Sequence, residues 1–250
     1  MTLISGLRCG EGVVLGADSQ VTVEALRTHG TKLFCSPQGI AWGTAGPIAA
    51  AQAIESQFEK SSFGHDPSKE SGRRAIREVM KAAAEEMMDS EGRLPGGRFA
   101  GLFAWHSAED GENLLLKAYS DGTVEFQLEY GSVGSNAEIA RIAFFGFTSS
   151  GFLEYETLPL EAAKMLVYKV TDDTVIATPA LVDGPVQLAV VSATGSVVLG
   201  EGDLQPVRDT ASAFRMHQAD FLKRVEPLGE EKEEITGLIP DEAGAADEPG

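Results

Sequence analysis

Cysteine is nearly absent from this chain: only Cys9 and Cys35 occur in 250 residues. A small secreted domain stapled by disulfides carries more, and these two lack the CxxC spacing of a metal or redox site. Each sits in an apolar stretch, which suits a buried free thiol. Positive charge is also scarce, with 20 Lys and Arg against 38 Asp and Glu, a net charge of -18. That balance excludes a nucleic-acid binder, whose phosphate contacts need a basic footprint, and argues against an anionic membrane surface. No apolar run reaches the roughly 18 residues of a membrane span. The start, MTLISGLRCGEG, has no charged segment followed by an apolar core and a cleavage site, so a cytoplasmic location is expected. The four histidines, His29, His65, His106 and His217, form no HExxH-like spacing, and Gly10-Glu11-Gly12 leads into no phosphate-binding pattern. Neither a metal nor another cofactor is expected.

Hydrophobic residues make up 43% of the chain, enough to bury a sizeable core. Thr2 to Leu7 and Val13 to Ala17, split by the Gly10-Glu11-Gly12 turn, read as a hairpin. Thr31 to Ser36 and Gly39 to Thr44 read as two more strands around Ser36-Pro37-Gln38-Gly39. Pro47 suits a first helical position, and Ile48, Ala51, Ala53, Ile54 and Phe58 continue with helical spacing. Ser71 to Asp89 forms a second helix, with Ala75, Ile76, Val79, Ala82, Ala83 and Met87 on its apolar face.

From Phe99 the period becomes that of strands: Phe99 to Trp105, Asn113 to Tyr119 and Thr123 to Glu129. Gly131 to Ser135 reads as a small-residue loop. Helical patterns follow at Asn136 to Phe145 and Leu160 to Val170, then strands at Val186 to Ser192 and Ser196 to Leu199, then a helix over Val207 to Val225. Strands on both sides of a central helical pair suggest an α+β fold, two antiparallel sheets with helices packed outside. Residues 1–225 read as one domain. Residues 226–250, rich in Glu and Asp with Lys232 as their sole basic residue and no aromatic, read as a disordered acidic tail.

The chemistry begins at Thr2. Removal of Met1 leaves a hydroxyl and a free α-amino group on one residue. An α-amino group has a pKa near about 8, so part of it is neutral around pH 7 and accepts a proton. The nucleophile then brings its own base. Threonine at position 2 is common for other reasons, so the neighbours decide. Gly12 to Ala17 runs into Asp18-Ser19; such an aspartate is a turn residue, a cap, or a carboxylate held at a strand end. Lys32, before Leu33-Phe34-Cys35, is either a solvated edge residue or a buried cation beside Thr2. In the second case its charge favours the deprotonated hydroxyl and the neutral amine, and Asp18 offsets its burial.

TLISGLRCGEGVVLGADSQVT, then Thr31-Lys32-Leu33-Phe34, then GIAWGTAGPIAAAQAIESQFE resemble the first part of proteasome β-type subunits and their bacterial relatives. Four features in the same order over about 60 residues carry the resemblance: the threonine, an Asp-Ser after an apolar strand, a lysine on a following strand, and a Thr-Ala-Gly turn leading into a helix. The resemblance implies the four-layer αββα N-terminal-nucleophile hydrolase fold. It implies Thr2 as nucleophile, with Asp18 and Lys32 in support. Gly46 corresponds to the glycine whose N–H helps form an oxyanion hole, and Ser135 to a serine near the nucleophile. Val21, Gly30, Thr44 and Ile48 would line the pocket for the side chain before the scissile bond, and the backbone of Thr22 would pair with an extended peptide. None of the four lining residues is charged, which hints at apolar or small neutral side chains.

The later part departs from the pattern. The family has an aspartate three residues before a Ser-Gly-Gly turn; here the turn is Asp183-Gly184-Pro185 and the third residue before it is Ala180. Asp172 and Asp173 fit only with a local insertion. The segment Val21 to Gly30 reads as a loop tighter than the family's. The resemblance therefore implies a threonine peptidase acting on peptides or unfolded proteins, self-associated into rings, with an ATP-dependent unfoldase as partner. The alternatives are an inactive structural subunit, or an amidase for a small molecule, on the same fold. Inactive ring subunits of the family usually carry a helical extension before the threonine. Its absence here favours the peptidase.

Overall fold

The computed structural model describes residues 2–23, 26–61, 67–94, 96–148 and 154–224. Met1, His65 and the acidic tail from Glu226 lie outside the described residues. The chain divides into two units, 1–213 and 214–250. The second is described only over its first residues, the C-terminal half of a helix.

An apolar run with few breakers gives the opening hairpin, β1 (Leu3–Cys9) and β2 (Gly12–Ala17). A second, short hairpin follows, β3 (Gln20–Val23) and β4 (Leu26–His29), where the sequence reads as a tight loop. Strands β5 (Leu33–Cys35) and β6 (Ala41–Ala45) lead to helices α1 (Ile48–Lys60) and α2 (Lys69–Met87). Pro47 occupies the cap of α1 with extended backbone, one residue before the position expected of it. Then come β7 (Ala100–Ser107), β8 (Glu112–Tyr119), β9 (Val124–Gln127) and β10 (Tyr130–Gly134). Helices α3 (Ala137–Thr148) and α4 (Leu160–Ala177) precede β11 (Gln187–Ser192), β12 (Gly195–Val198) and α5 (Glu201–Arg224). No described helix is long and apolar enough to cross a membrane.

Two antiparallel five-stranded sheets result, ordered β10-β1-β2-β11-β12 and β5-β6-β7-β8-β9. Gly131 to Ser135 is thus not a loop. Its first residues belong to β10, an edge strand paired with β1 from Leu3↔Gly134 to Leu7↔Tyr130. Small residues hid the strand because its bulk-free positions are where the two sheets come close: a Cβ on Gly131 would meet Leu102 Cδ1 at 3.2 Å.

Alternation along the strands sends side chains to three apolar layers. Ile4, Val13, Leu15, Leu102, Ala104, Leu115 and Val191 meet between the sheets. Leu3, Leu7, Val14, Leu188 and Val190 point the other way, onto Phe144 of α3 and Leu166, Val167 and Val170 of α4. Trp42, Phe103, Trp105, Leu114 and Leu116 pack under Ile54 and Phe58 of α1 and Ile76, Val79 and Met80 of α2. Strands covered on both faces explain the continuous apolar run Val13-Val14-Leu15. Close approach of β2 to α4 depends on Gly16, where a Cβ would lie 2.6 Å from Thr171 Oγ1 and 2.7 Å from Val167 Cγ1. Beside it Ser5 and Thr171 share a buried hydroxyl pair at 2.8 Å, which satisfies both polar groups inside that layer. Cys9 is buried as expected, but Cys35 is exposed, because it ends the short strand β5.

Candidate active site

Register places the start of the chain between two partners. On one side β2 returns antiparallel to β1, so Asp18, one residue past the strand, lies against Leu3. On the other side β10 runs past Leu3 and delivers Ser135. The two contacts fall on a single peptide group. The N–H of Leu3 donates to Asp18 Oδ1 at 2.7 Å, and the C=O of Thr2 accepts from the N–H of Ser135 at 2.7 Å. The plane carrying Thr2 is therefore fixed from both edges.

Asp18 is fully buried, and its other oxygen accepts from Lys32 Nζ at 2.8 Å and from the N–H of Gln20 at 3.2 Å. Lys32 is 7% exposed. Burial pushes the Lys32 ammonium below the ordinary lysine pKa, while the charge of Asp18 and its hydrogen bond pull the other way. A buried ion pair of this kind contributes little net stability, because desolvation offsets attraction. What it provides here is a fixed cation at the chain's start. Gln187, first residue of β11, holds the segment that brings Lys32 in. Its Oε1 accepts from the N–H of Lys32 at 2.9 Å, and its Nε2 donates to the carbonyl of Gly30 at 2.7 Å.

Thr2, Val21, Lys32, Thr44, Gly46 and Ile48 line one cleft of about 240 Å³. Thr44 donates its hydroxyl to the carbonyl of Ala100 at 3.1 Å. Gly46 has φ +150, and a Cβ there would lie 2.5 Å from Phe99 Cβ, so only glycine fits. It precedes the capping residue of α1, where helix N–H groups lack intrahelical partners and the dipole is positive. Gly30 does not line the cleft; its carbonyl accepts from Gln187 Nε2. Thr22 lies in β3, opposite Arg27 of β4.

Sequence reasoning missed several contributors. Gln20, Thr31, Phe34, Pro47 and Ala51 complete the cleft lining. Gly134, with φ +99, is needed because a Cβ would run into the carbonyl oxygen of Thr2. Gln187 carried no signal beyond its place at a strand start. Ser135 contributes through its backbone N–H, and the next residue, Asn136, takes φ 61 and donates to Thr178 Oγ1 at 2.8 Å. The end of α4 is thus tied to the β10–α3 junction by a neutral bond. Asp173 is engaged on α4 itself, accepting from Lys169 Nζ at 2.5 Å, and the carbonyl of Asp183 accepts from the N–H of Gln20 at 2.9 Å.

No family model matches the sequence, and no curated protein matches it. Solved structures do match in fold. An Anbu (Gly-1) mutant from Hyphomicrobium sp. strain MC1 superposes with a TM-score of 0.68 at 15% identity, over 92% of this chain and 100% of that one. Anbu, an ancestral β-subunit, from Yersinia bercovieri gives 0.67 at 15% identity over 91% and 98%. The helical assembly of the Anbu complex from Pseudomonas aeruginosa gives 0.69 at 16% identity over 91% and 98%. These matches correct the resemblance drawn from the first 60 or so residues: across the whole chain the likeness is to Anbu proteins and not specifically to proteasome β-type subunits. At such identity the likeness is one of fold. The chain has an α+β fold of antiparallel sheets and helices, shared with these Anbu structures.

Proposed function

We propose that this chain is an N-terminal threonine hydrolase that cleaves peptide bonds once Met1 has been removed. The observation that carries the proposal is the buried Asp18–Lys32 pair bound to the Thr2–Leu3 peptide and opening onto the cleft that Thr2 lines. A buried cation beside a hydroxyl and an amine favours the alkoxide-like and neutral forms of each. Thr2 Oγ attacks the carbonyl carbon, and the α-amino group takes the hydroxyl proton, directly or through water. The carbonyl π electrons move to oxygen, where the N–H of Gly46 donates to the oxyanion. The C–N bond then breaks as the amine leaves with the proton, giving an ester on Thr2, which water hydrolyses. Val21, Thr44 and Ile48 receive the side chain preceding the bond. The outer edge of β3 at Thr22, which pairs with no strand among the described residues, pairs with the substrate backbone.

The outer helices and facing sheets support a four-layer αββα arrangement. By analogy with the helical assembly of the Pseudomonas aeruginosa Anbu complex, we place this chain in a self-associating, ring-like or helical array. An ATP-driven unfoldase is the class of partner that would feed folded substrates to enclosed sites.

Mass spectrometry after incubation with a peptide epoxyketone tests the activity. The expected result is an adduct mapped to Thr2, formed only on chains lacking Met1 and absent from Thr2→Ala. No adduct on chains lacking Met1 would overturn the proposal. Light scattering that gave a monomer at micromolar concentration would overturn the assembly. One observation favours a second reading, an inactive structural subunit: Ala180 stands where the resemblance expects an aspartate, and the tie between Asn136 and Thr178 beside Ser135 is uncharged.

A further inference from the structure

A second cavity, of about 460 Å³, lies beside the Thr2 cleft and takes no part in the steps above. Gly134 forms part of its wall. A Cβ on Gly134 would run into the carbonyl oxygen of Thr2 and lie 2.9 Å from Ala45 Cβ. Ala100 forms another part of the wall. It pairs with Ala45, and its carbonyl accepts from Thr44, which lines the Thr2 cleft. The β6–β7 pairing at Ala45 and Ala100 therefore separates two openings, and Thr2 borders both: it lines the first and backs onto Gly134 of the second. A chain whose side chain before the scissile bond enters the first opening has the second available to the residues after the bond.

Strand alternation decides which side chains face this second cavity. Leu102 and Leu115 pack between the sheets. Lys117 is directly opposite Leu102 and two residues after Leu115, so it shares that face. It lines the cavity and is partly exposed, and its ammonium lies 5.0 Å from the centre of the Tyr119 ring, the next residue on that face and the one opposite Ala100. The other polar side chains of the lining are engaged. Ser132 donates to the carbonyl of Ala137 at 2.7 Å, Asn136 donates to Thr178 Oγ1, and Glu138 accepts from Arg141 at 3.1 Å, one turn along α3. Lys117 has neither a hydrogen bond nor an ion pair among the described residues, and its cross-strand neighbour Glu125 does not line the cavity. The opening thus presents one accessible, uncompensated cation, and its complement is a carboxylate.

We infer that this cavity receives the part of the substrate that follows the scissile bond, and that Lys117 is a specificity-determining residue there, selecting a carboxylate. This rests on the proposed Thr2 chemistry. β8 lies two strand spacings from β6, about 10 Å. An extended chain covers about 3.3 Å per residue, so two residues and an acidic side chain span that distance. The carboxylate belongs to an Asp or Glu at the second residue after the bond, or to the terminus of a chain that ends one residue later. An ion pair at a partly exposed site changes affinity by up to about fivefold, and by less at high salt.

The test uses the full chain and fluorescently labelled alanine-based octapeptides that differ only in glutamate or glutamine at one position. Binding is read by anisotropy on Thr2→Ala, which does not turn the peptides over, and cleavage by mass spectrometry on the chain lacking Met1. The expected result is a Kd about fivefold lower for the glutamate peptide at low salt, and a cut two residues before the glutamate. The ratio should approach one when Lys117→Met is added to Thr2→Ala, with the melting temperature confirming that the variant folds. Shorter peptides ending as free acid or amide separate the two sources: a preference for the free acid alone assigns the terminal carboxylate. Equal Kd within both pairs would overturn the inference while leaving Thr2 as nucleophile, which the epoxyketone adduct tests by itself. A preference that survives in Lys117→Met would remove Lys117 from the assignment, and a cut elsewhere would overturn the placement after the bond. No epoxyketone adduct on Thr2 would overturn the Thr2 chemistry and this inference with it, whatever the binding.

Discussion

The substitution Asp18→Asn separates a positioning role for the buried pair from a merely incidental one. Asparagine keeps one oxygen, which continues to accept from the N–H of Leu3. Its NH₂ replaces Oδ2, the atom that accepts from Lys32 Nζ at 2.8 Å and from the N–H of Gln20 at 3.2 Å. Two donors then face a donor, and the carboxylate charge opposite Lys32 is gone from a site where Lys32 is 7% exposed. Removing one member of a buried pair costs about 3–5 kcal/mol, a large part of the roughly 5–15 kcal/mol that holds a domain together. Urea unfolding followed by tryptophan fluorescence reads this directly, since Trp42 and Trp105 are both fully buried under α1 and α2. With a slope of about 2 kcal/mol/M the midpoint falls by about 2 M.

The pH dependence has a definite sign. The unfolded chain holds the Lys32 proton up to the ordinary lysine pKa of 10.5, and burial lowers that pKa in the folded state. Between the two values the unfolded state binds more protons, so stability rises with pH. Loss of the Asp18 charge widens that window. The gap between wild type and Asp18→Asn therefore narrows as pH is raised from 7 toward 10, and adding Lys32→Met to Asp18→Asn recovers most of the loss. A cost below about 1 kcal/mol, or a gap indifferent both to pH and to Lys32→Met, would refute the assignment of Asp18 and Lys32 as a buried, mutually dependent pair.

Two further outcomes follow from single residues. Gly134→Ala puts a Cβ against the carbonyl oxygen of Thr2 at φ +99; it should cost about 1–3 kcal/mol and slow epoxyketone labelling of Thr2 at least about tenfold, read by intact mass over time. Tyr155 is 4% exposed, and burial holds its phenol up to about 12 against an ordinary 10.0. Ultraviolet titration of wild type against Tyr155→Phe should show this phenol ionising near pH 12. Because the folded state keeps that proton longer, its stabilising contribution is complete below pH 10 and is lost as pH rises through 12, so Tyr155→Phe should blunt alkaline unfolding.

Local patterns read well where one residue's neighbours in sequence are also its neighbours in space. The Val13-Val14-Leu15 run, the amphipathic face of α2 and the turn at Gly10 to Gly12 all follow from nearest-neighbour rules, and all appear in the fold. The failures have a common cause. β10 carries a glycine where the facing sheet comes close at Leu102, and nothing within Tyr130 to Gly134 reveals that approach. The β3–β4 hairpin is four residues a side with two residues between, too short for a periodic signal. Cys35 sits in an apolar stretch yet ends a strand at the surface.

The candidate site divides along the same line. Thr2, Asp18, Lys32 and Gly46 were legible as residue types in order, because a nucleophile, an acid, a cation and a glycine before a helix are chemically distinctive. What joins them was not legible. The clamp on Thr2 uses a backbone N–H of Ser135 and a carboxylate oxygen on the N–H of Leu3, and both depend on register: Leu3 opposite Gly134 on one side and Ile4 opposite Ala17 on the other. A slip of one residue in either ladder would reverse the faces of β1 and move Asp18 away from the Thr2–Leu3 peptide. The register is in turn held by the layers, since Ile4 must meet Val13 and Leu15 while Leu3 meets Phe144 and the α4 residues. Core packing over the length of β1 therefore sets the position of its first residue, and the geometry of Thr2 is a property of the whole sheet more than of the short motif that announces it.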